Sequence, residues 1–211
     1  MPILMSFGDS NTHGTPPITE RGVYARYDAA TRWPTRAAAQ LGPDWALVEE
    51  GLPGRTTCFD DPMMGSHMNA VTGLRIALNS HGPLNYMTLM LGTNDVKTRF
   101  GAAPAQIVAG IAGLVDMALS PEMAQRHPGL KLLLIAPPPV QELGPLTAEF
   151  IGATDKSRAF APLLQAYATA RGVGFLDAGP VLQTSPIDGI HFSAQGHAAL
   201  ANAVANSLTT L

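Results

Sequence analysis

Gly8-Asp9-Ser10 follows directly on the apolar run Ile3–Phe7. A serine set just beyond a strand, with glycine allowing a tight turn, holds its hydroxyl in the open and leaves its backbone N–H free for an anionic ligand. That placement suits a nucleophile. Either Asp9 or Ser10 would equally suit capping the segment that follows, so the tripeptide alone leaves both uses open. A serine hydroxyl reacts only when a base accepts its proton and a third group fixes the tautomer of the base. Near the other end of the chain, Asp188-Gly189-Ile190-His191 sets a carboxylate within a short turn of an imidazole. That pair would supply both. An incidental loop pair or part of a metal site are the competing readings, and no further His or Cys lies close in sequence to complete a metal set.

Two further segments could serve a developing negative charge. In Leu91-Gly92-Thr93-Asn94-Asp95, at the end of a presumed central strand, the Asn94 amide can donate toward the sheet edge where Ser10 would sit, as donors to a tetrahedral oxyanion must. The same residues are also good turn formers. In Gly51-Leu52-Pro53-Gly54-Arg55-Thr56-Thr57, Gly54 can bring a backbone N–H close to a ligand, or simply make a turn. His13, three residues beyond Ser10, is a rival base on one helical face. It has no evident carboxylate to orient it, so triad logic favours His191. His67, His81, His127 and His197 carry no partner pattern and are expected in loops or at the surface. Trp33 and Trp45 are expected to pack, Trp33 near the site.

These residues need a scaffold that brings strand ends together. Apolar runs at Ile3–Phe7, Ala46–Val48, Tyr86–Leu91, Lys131–Ala136 and Val173–Leu176 have the length of buried strands. Helical patterns lie between and after them. Trp33–Leu41 has Pro34 in its first turn and Gly42 at its end. Ala70–Asn79, Pro104–Leu119 and Asp155–Ala170 carry apolar residues at three- and four-residue spacing, and Ser193 stands as N-cap to a final helix over Ala194–Leu208. Fully apolar strands alternating with helices argue for a parallel sheet covered on both faces. Glycine and proline gather at Gly14–Gly22, Pro53–Gly65 and Pro137–Gly152. Each of these long connections follows a strand, and in open α/β sheets ligands bind beyond the carboxyl ends of the strands. The three loops are therefore expected to share one site.

Composition narrows the partners. The 211 residues include 13 basic and 16 acidic side chains, 14% charged, where soluble domains average about 25%. With 46% hydrophobic residues the chain can bury a sizeable core and reads as one domain over residues 1–211. A net charge of -3 without a Lys/Arg cluster gives no footprint for nucleic acid or an anionic membrane, and polar residues interrupt every long apolar stretch. The N-terminus lacks a basic signal region. Cys58 is the single cysteine and cannot form an internal disulfide, so a cytoplasmic chain with Cys58 as a small packing residue is expected. There is no Gly-x-Ser-x-Gly elbow, and Gly172-Val173-Gly174 precedes a strand rather than following one. No P-loop or His-Glu-x-x-His occurs, and neither metal nor cofactor is expected.

Taken together, Gly8-Asp9-Ser10, Gly54, Gly92-Thr93-Asn94-Asp95 and Asp188-x-x-His191, in this order along the chain, resemble the sequence blocks of the SGNH, or GDSL-type, hydrolases. Glu49-Glu50-Gly51-Leu52-x-x-Arg55-Thr56-Thr57, Asp60-Asp61-Pro62 and Met90–Asp95 resemble their bacterial arylesterase and ester acyltransferase subgroup. The resemblance implies a flavodoxin-like three-layer α/β/α sandwich with about five parallel strands. It also implies Ser10 as nucleophile, His191 as base and then acid, and Asp188 as its orienting carboxylate. The oxyanion hole would be the N–H groups of Ser10 and Gly54 and the Asn94 amide, with Asp9 and Asp95 bracing their turns. The implied reaction is hydrolysis of short-chain aryl or alkyl esters through an acyl-enzyme, with transfer to alcohols; sugar deacetylation and a non-catalytic acyl-binding module are the alternatives. The usual leucine after the nucleophile is Asn11 here, and His13 stands where some acyltransferases carry an aromatic residue. The subgroup often forms octamers. Low charge leaves much surface uncharged, so several loops are expected to be buried between subunits, narrowing the way to Ser10.

Overall fold

In the computed structural model, which describes residues 1–211, β1 spans Ile3–Gly8. Its side chains alternate between two cores, because successive residues of a strand face opposite ways. Met5 and Phe7 enter one apolar cluster and Leu4 the other. The same division runs through β3 (Tyr86–Met90) and β4 (Lys131–Ala136): Met87, Leu89, Leu132 and Leu134 lie on the first face, Met90, Leu133 and Ile135 on the second. These three strands are buried from both sides. The flanking strands β2 (Ala46–Gly51) and β5 (Gly174–Asp177) are half-buried throughout. All neighbours pair in parallel, in the order β2-β1-β3-β4-β5.

The first face is covered by α3 (Ala70–Ser80), α4 (Pro104–Ala118) and α6 (Ala153–Arg171), which contribute Leu74, Leu78, Ile107, Ile111, Leu114, Phe160 and Leu164. The second is covered by α2 (Trp33–Leu41) and α7 (Ala194–Thr209), through Trp33, Ala37, Leu200 and Val204. Each fully buried aliphatic or aromatic side chain contributes about 1.5–3 kcal/mol, so the two cores fix the strands that carry the loops. Helix ends follow the expected chemistry. Pro34 and Pro104 open α2 and α4, the Ser193 hydroxyl accepts the Gly196 N–H at 3.1 Å, and Gly172 closes α6 in a left-handed conformation.

Several expectations need correction. A short helix α5 (Pro121–Arg126), capped by the Ser120 side chain, was not anticipated, because six residues are too few to display a helical period. β2 runs on to Gly51, and β5 begins at Gly174 instead of Val173. Cys58 is exposed rather than buried, although its Sγ lies beside Gly110 of α4. His127 and His197 are buried, not at the surface. His127 is accommodated there because Nδ1 accepts the Leu84 N–H at 3.1 Å while Nε2 pairs with the Leu78 carbonyl at 2.9 Å. His197 accepts the Trp33 N–H at 3.3 Å, and burial pushes its pKa down to about 4.

In the order 2-1-3-4-5 the connections leave β1 and β3 in opposite directions, which opens a crevice at their carboxyl ends. Ser10 follows β1, Asn94 follows β3, and Gly54 follows β2. No helix is long and apolar enough to cross a membrane.

Candidate active site

β1 runs into a single helical turn, α1 (Ser10–His13), whose N-cap Asp9 accepts the Asn11 N–H at 2.9 Å. This turn lies directly on the sheet, which accounts for the glycines beneath it. A Cβ on Gly8 would run into the Thr12 side chain and come within 2.8 Å of the Met90 carbonyl, and one on Gly51 would meet the His13 backbone. The tight seat raises Ser10 to the rim of the sheet at the start of the turn. Its N–H bonds no other backbone group, as expected for the first residue of a helix.

The Ser10 hydroxyl lies 3.0 Å from His191 Nε2, and His191 Nδ1 lies 2.6 Å from Asp188 Oδ2. Asp188 is held from three sides. Its Oδ1 accepts the N–H groups of Ile190 and His191 at 3.0 Å each, and its Oδ2 accepts the Ile18 N–H at 2.7 Å. Burial alone would raise the Asp188 pKa, but the hydrogen bond and charge of His191, with the N–H donors, outweigh it and leave the carboxyl below its ordinary range. It therefore stays ionised and can hold His191 with a proton on Nδ1 and a lone pair on Nε2. The rival base is elsewhere: His13 Nε2 pairs with the Tyr24 hydroxyl at 3.1 Å.

Gly54 has φ +91° and its N–H donates to no protein group. Asn94 donates one amide hydrogen to the Arg55 carbonyl at 3.0 Å, which leaves the other for a ligand. The loop that carries Gly54 is pinned to both neighbouring strands. Arg55 is buried, donates to the Gly8 carbonyl at 2.9 Å and to the Glu50 carbonyl, and lays its guanidinium 4.0 Å from the Phe7 ring centroid. Thr57 gives its N–H at 2.9 Å and its hydroxyl at 2.5 Å to Asp95 Oδ1. The supporting carboxylates Asp9 and Asp95 are fully buried, each with one oxygen lacking a partner. Burial pushes both up to about 6; Asn11, His191, Lys97 and Arg55 oppose this at Asp9, while the Thr57 hydrogen bonds oppose it at Asp95.

Ser10, Gly54, Asn94 and His191 line one cavity of about 210 Å³. Its walls come from all three long loops: Thr15 and Ile18 from the first, Pro53 and Met64 from the second, Leu146, Glu149 and Phe150 from the third. Their convergence agrees with the expectation of one shared site. Behind one wall, Arg99 joins two loops by donating to Asp61 Oδ2 at 2.6 Å and to Glu149 Oε2 at 2.7 Å, while Arg21 reaches Glu149 Oε1 at 2.9 Å. Lys97 lies on the cavity side of this cluster, a residue with no motif around it in the sequence. A serine hydroxyl within hydrogen-bond reach of an imidazole that a carboxylate orients, with hydrogen-bond donors lacking protein partners around one small cavity, is an arrangement able to carry out acyl transfer.

The sheet order, the helices on both faces and this site at the β1/β3 crevice define the SGNH hydrolase fold. The chain belongs to the GDSL-like lipase/acylhydrolase family, which it matches over residues 6–199. It is similar to a carbohydrate acetylesterase from Sinorhizobium meliloti at 36% identity and TM-score 0.95, with 100% of this chain and 99% of that one covered. The aryl esterase of M. smegmatis is 34% identical at TM-score 0.93, with both chains covered in full. A second carbohydrate acetylesterase family member from Sinorhizobium meliloti is 31% identical at TM-score 0.85, covering 100% of this chain and 98% of that one. No curated protein sequence matches significantly.

Proposed function

We propose that this acylhydrolase is a serine esterase acting on short-chain carboxylic esters through an acyl-enzyme on Ser10. As Ser10 Oγ attacks the ester carbonyl, His191 Nε2 takes its proton, and the imidazolium formed is stabilised by Asp188. The carbonyl oxygen becomes an oxyanion that accepts hydrogen bonds from the N–H groups of Ser10 and Gly54 and from the Asn94 amide. Collapse breaks the ester C–O bond, and His191 returns the proton to the leaving oxygen. Water or an alcohol, deprotonated by His191, then attacks the acyl carbon and frees Ser10. The observation that carries this reading is the Ser10–His191–Asp188 hydrogen-bond chain at the wall of a cavity, and the small volume of that cavity favours short acyl groups.

Labelling with an organophosphonate and a panel of single variants tests it. Ser10→Ala and His191→Ala abolish the burst with p-nitrophenyl acetate, while His13→Ala retains it; loss in His13→Ala with retention in His191→Ala reverses the base assignment. Absence of both burst and labelling in the unaltered protein supports a binding module instead. Incubation with excess primary alcohol separates the two acceptors, since a new ester forms only if transfer competes with hydrolysis. A second reading, removal of acetyl groups from carbohydrates, uses the same residues and is favoured by the two acetylesterase structures among its relatives. Self-association belongs to the same proposal, supported by exposed apolar side chains on or beside the long loops, Tyr24, Met63 and Ile151 among them. A 22.1 kDa species in sedimentation at micromolar concentration removes it.

A further inference from the structure

Lys97 is 6% exposed, yet its ammonium makes no hydrogen bond to the protein. Its nearest carboxylate oxygen is Glu149 Oε2, 3.7 Å away, beyond hydrogen-bond reach. That oxygen already accepts Arg99, and Glu149 Oε1 accepts Arg21. Arg99 in turn serves Asp61. Three cations thus share two carboxylates, and Lys97 is the one left with unfilled donors. It faces the cavity that holds Ser10, and Nζ stands 5.5 Å from the ring centroid of Phe150 in the same wall. The side chain is buried but its ammonium opens on the cavity, so its N–H groups are free for solvent or for an acceptor on a bound substrate.

The geometry points to a subsite in which Lys97 and Glu149 bind a free hydroxyl on the alcohol part of the ester, so that the substrate class is the partially acylated polyol. This deepens the esterase reading and rests on it. A hydroxyl is at once donor and acceptor. One oxygen about 2.8 Å from each atom spans the 3.7 Å gap, accepting from Nζ and donating to Oε2. A carboxylate placed there would accept from Lys97 but face Glu149 with like charge, and an aryl ring would offer the Lys97 N–H groups no acceptor oxygen. Around this polar pair the cavity is apolar, with Ile18, Met64, Leu146 and Ile190. When the acyl group is short, the alcohol is the part long enough to extend beyond Ser10.

The test compares 2-hydroxyethyl acetate with propyl acetate, which differ only by a hydroxyl in place of a methyl. The ratio of kcat/KM is corrected for their rates of hydroxide-catalysed hydrolysis. The unaltered enzyme prefers the hydroxyl ester by about tenfold or more, as a hydrogen bond to charged groups implies, and Lys97→Met brings the ratio close to one. Because both esters are measured on the same preparation, loss of active enzyme cancels. If Lys97→Met does not fold, Lys97→Gln replaces it, and the ratio in the unaltered enzyme is decisive by itself. A ratio near one with Ser10-dependent turnover of p-nitrophenyl acetate intact overturns the subsite and leaves the esterase standing. A preference that survives Lys97→Met, or one for acetoxyacetate over 2-hydroxyethyl acetate, also overturns it. No turnover of any ester, or full turnover by Ser10→Ala, removes the esterase reading and the subsite together.

Discussion

The side-chain amide of Asn11 donates to the Ile190 carbonyl at 3.2 Å, joining two segments 179 residues apart. Asn11 neighbours Ser10 and Ile190 neighbours His191, so this one bond couples the positions of the hydroxyl and its proposed base. Asn11 is itself clamped: its N–H is held by Asp9, and its carbonyl accepts the Trp33 indole N–H at 3.0 Å. The departure from leucine after the nucleophile thus has a structural role.

Replacing Asn11 by leucine removes the donor and leaves a buried carbonyl short of a partner, which costs about 1–3 kcal/mol. The expected outcome is a melting temperature lower by about 2–12 °C and a kcat on p-nitrophenyl acetate lower by about 10- to 100-fold, as small misplacements of reacting groups produce. KM should change by less than about threefold, since Asn11 is absent from the cavity lining. An unchanged kcat beside a lowered melting temperature would confine Asn11 to folding.

Gly54 gives a second prediction. Its φ of +91° disfavours any side chain, and a Cβ there would lie 2.5 Å from Met64 Cε and 2.9 Å from its sulfur. Alanine must turn the peptide or push Met64, and either shifts the N–H proposed to meet the oxyanion. Gly54→Ala should lower kcat by about 10²- to 10³-fold and destabilise the fold by about 1–2 kcal/mol. Adding Met64→Ala relieves the two shortest contacts but leaves the Met68 sulfur at 3.0 Å and the backbone strain, so it should recover part of the stability and little of the rate. Steady-state kinetics and urea unfolding of the single and double variants check both parts.

The strands were legible because β1, β3 and β4 are covered on both faces and so are apolar at successive positions, a pattern that needs no knowledge of partners. Strand ends, glycines and a close Asp–His spacing singled out Ser10, Gly54, Asn94, Asp188 and His191, each equally readable as a cap, a turn or a loop pair. Their order along the chain, resembling the GDSL-type hydrolases, joined them into one candidate site. What the sequence hid are pairings between distant segments. Lys97 with Glu149, Arg99 with Asp61 and Asn11 with Ile190 carry no period or motif, and each depends on which loops the sheet order brings together. Burial of His127 and His197 was hidden likewise, because a histidine can go inside only when backbone groups from other elements meet its ring. The Ser120-Pro121 cap of α5 is an N-terminus signal, but the six residues behind it are too few to show a helical period.

The buried pair Asp9 and Asp95 sets a pH dependence of stability. Burial raises Asp95 to about 6, above the roughly 3.9 of an unfolded chain. The folded state therefore binds more protons between those values. The contribution of Asp95 is fully present below about pH 4 and is lost as pH rises through about 6. In Asp95→Asn the amide oxygen can still accept from Thr57, and no charge forms. Relative to the unaltered protein, Asp95→Asn should gain about 2 kcal/mol on going from pH 4.5 to pH 7.5, measured by urea unfolding at each pH. A difference independent of pH would mean that Asp95 is already ionised at the lower value. His197 acts with the opposite sign, because its pKa is lowered to about 4 by burial: its contribution is present above about pH 6.5 and is lost as pH falls through about 4. The curve of the unaltered protein also carries Asp9, raised to about 6 like Asp95 and facing it in charge, so the variant difference reports Asp95 together with its coupling to Asp9.

Asp188 makes the sharpest demand on the proposed mechanism. Its Oδ1 receives two N–H donors, from Ile190 and His191, and its Oδ2 receives a third from Ile18 as well as His191 Nδ1. Every position around the carboxylate therefore calls for an acceptor. Asparagine has one acceptor oxygen and one amide group, and wherever the amide is placed it meets a donor. With the amide on the Ile18 side, it faces that N–H and can satisfy His191 only as an acceptor at Nδ1. The proton then moves to Nε2, the nitrogen that must take the Ser10 proton. Asp188→Asn should lower kcat by about 10³- to 10⁴-fold with a much smaller change in KM, and should loosen the first long loop through Ile18. The imidazole nitrogen chemical shifts report the tautomer directly, with Nδ1 protonated in the unaltered protein at neutral pH and Nε2 protonated in the variant. A large rate loss without that tautomer change would assign Asp188 to charge stabilisation of the imidazolium, whereas a modest loss with the change present would show that the hydroxyl is activated by some other group.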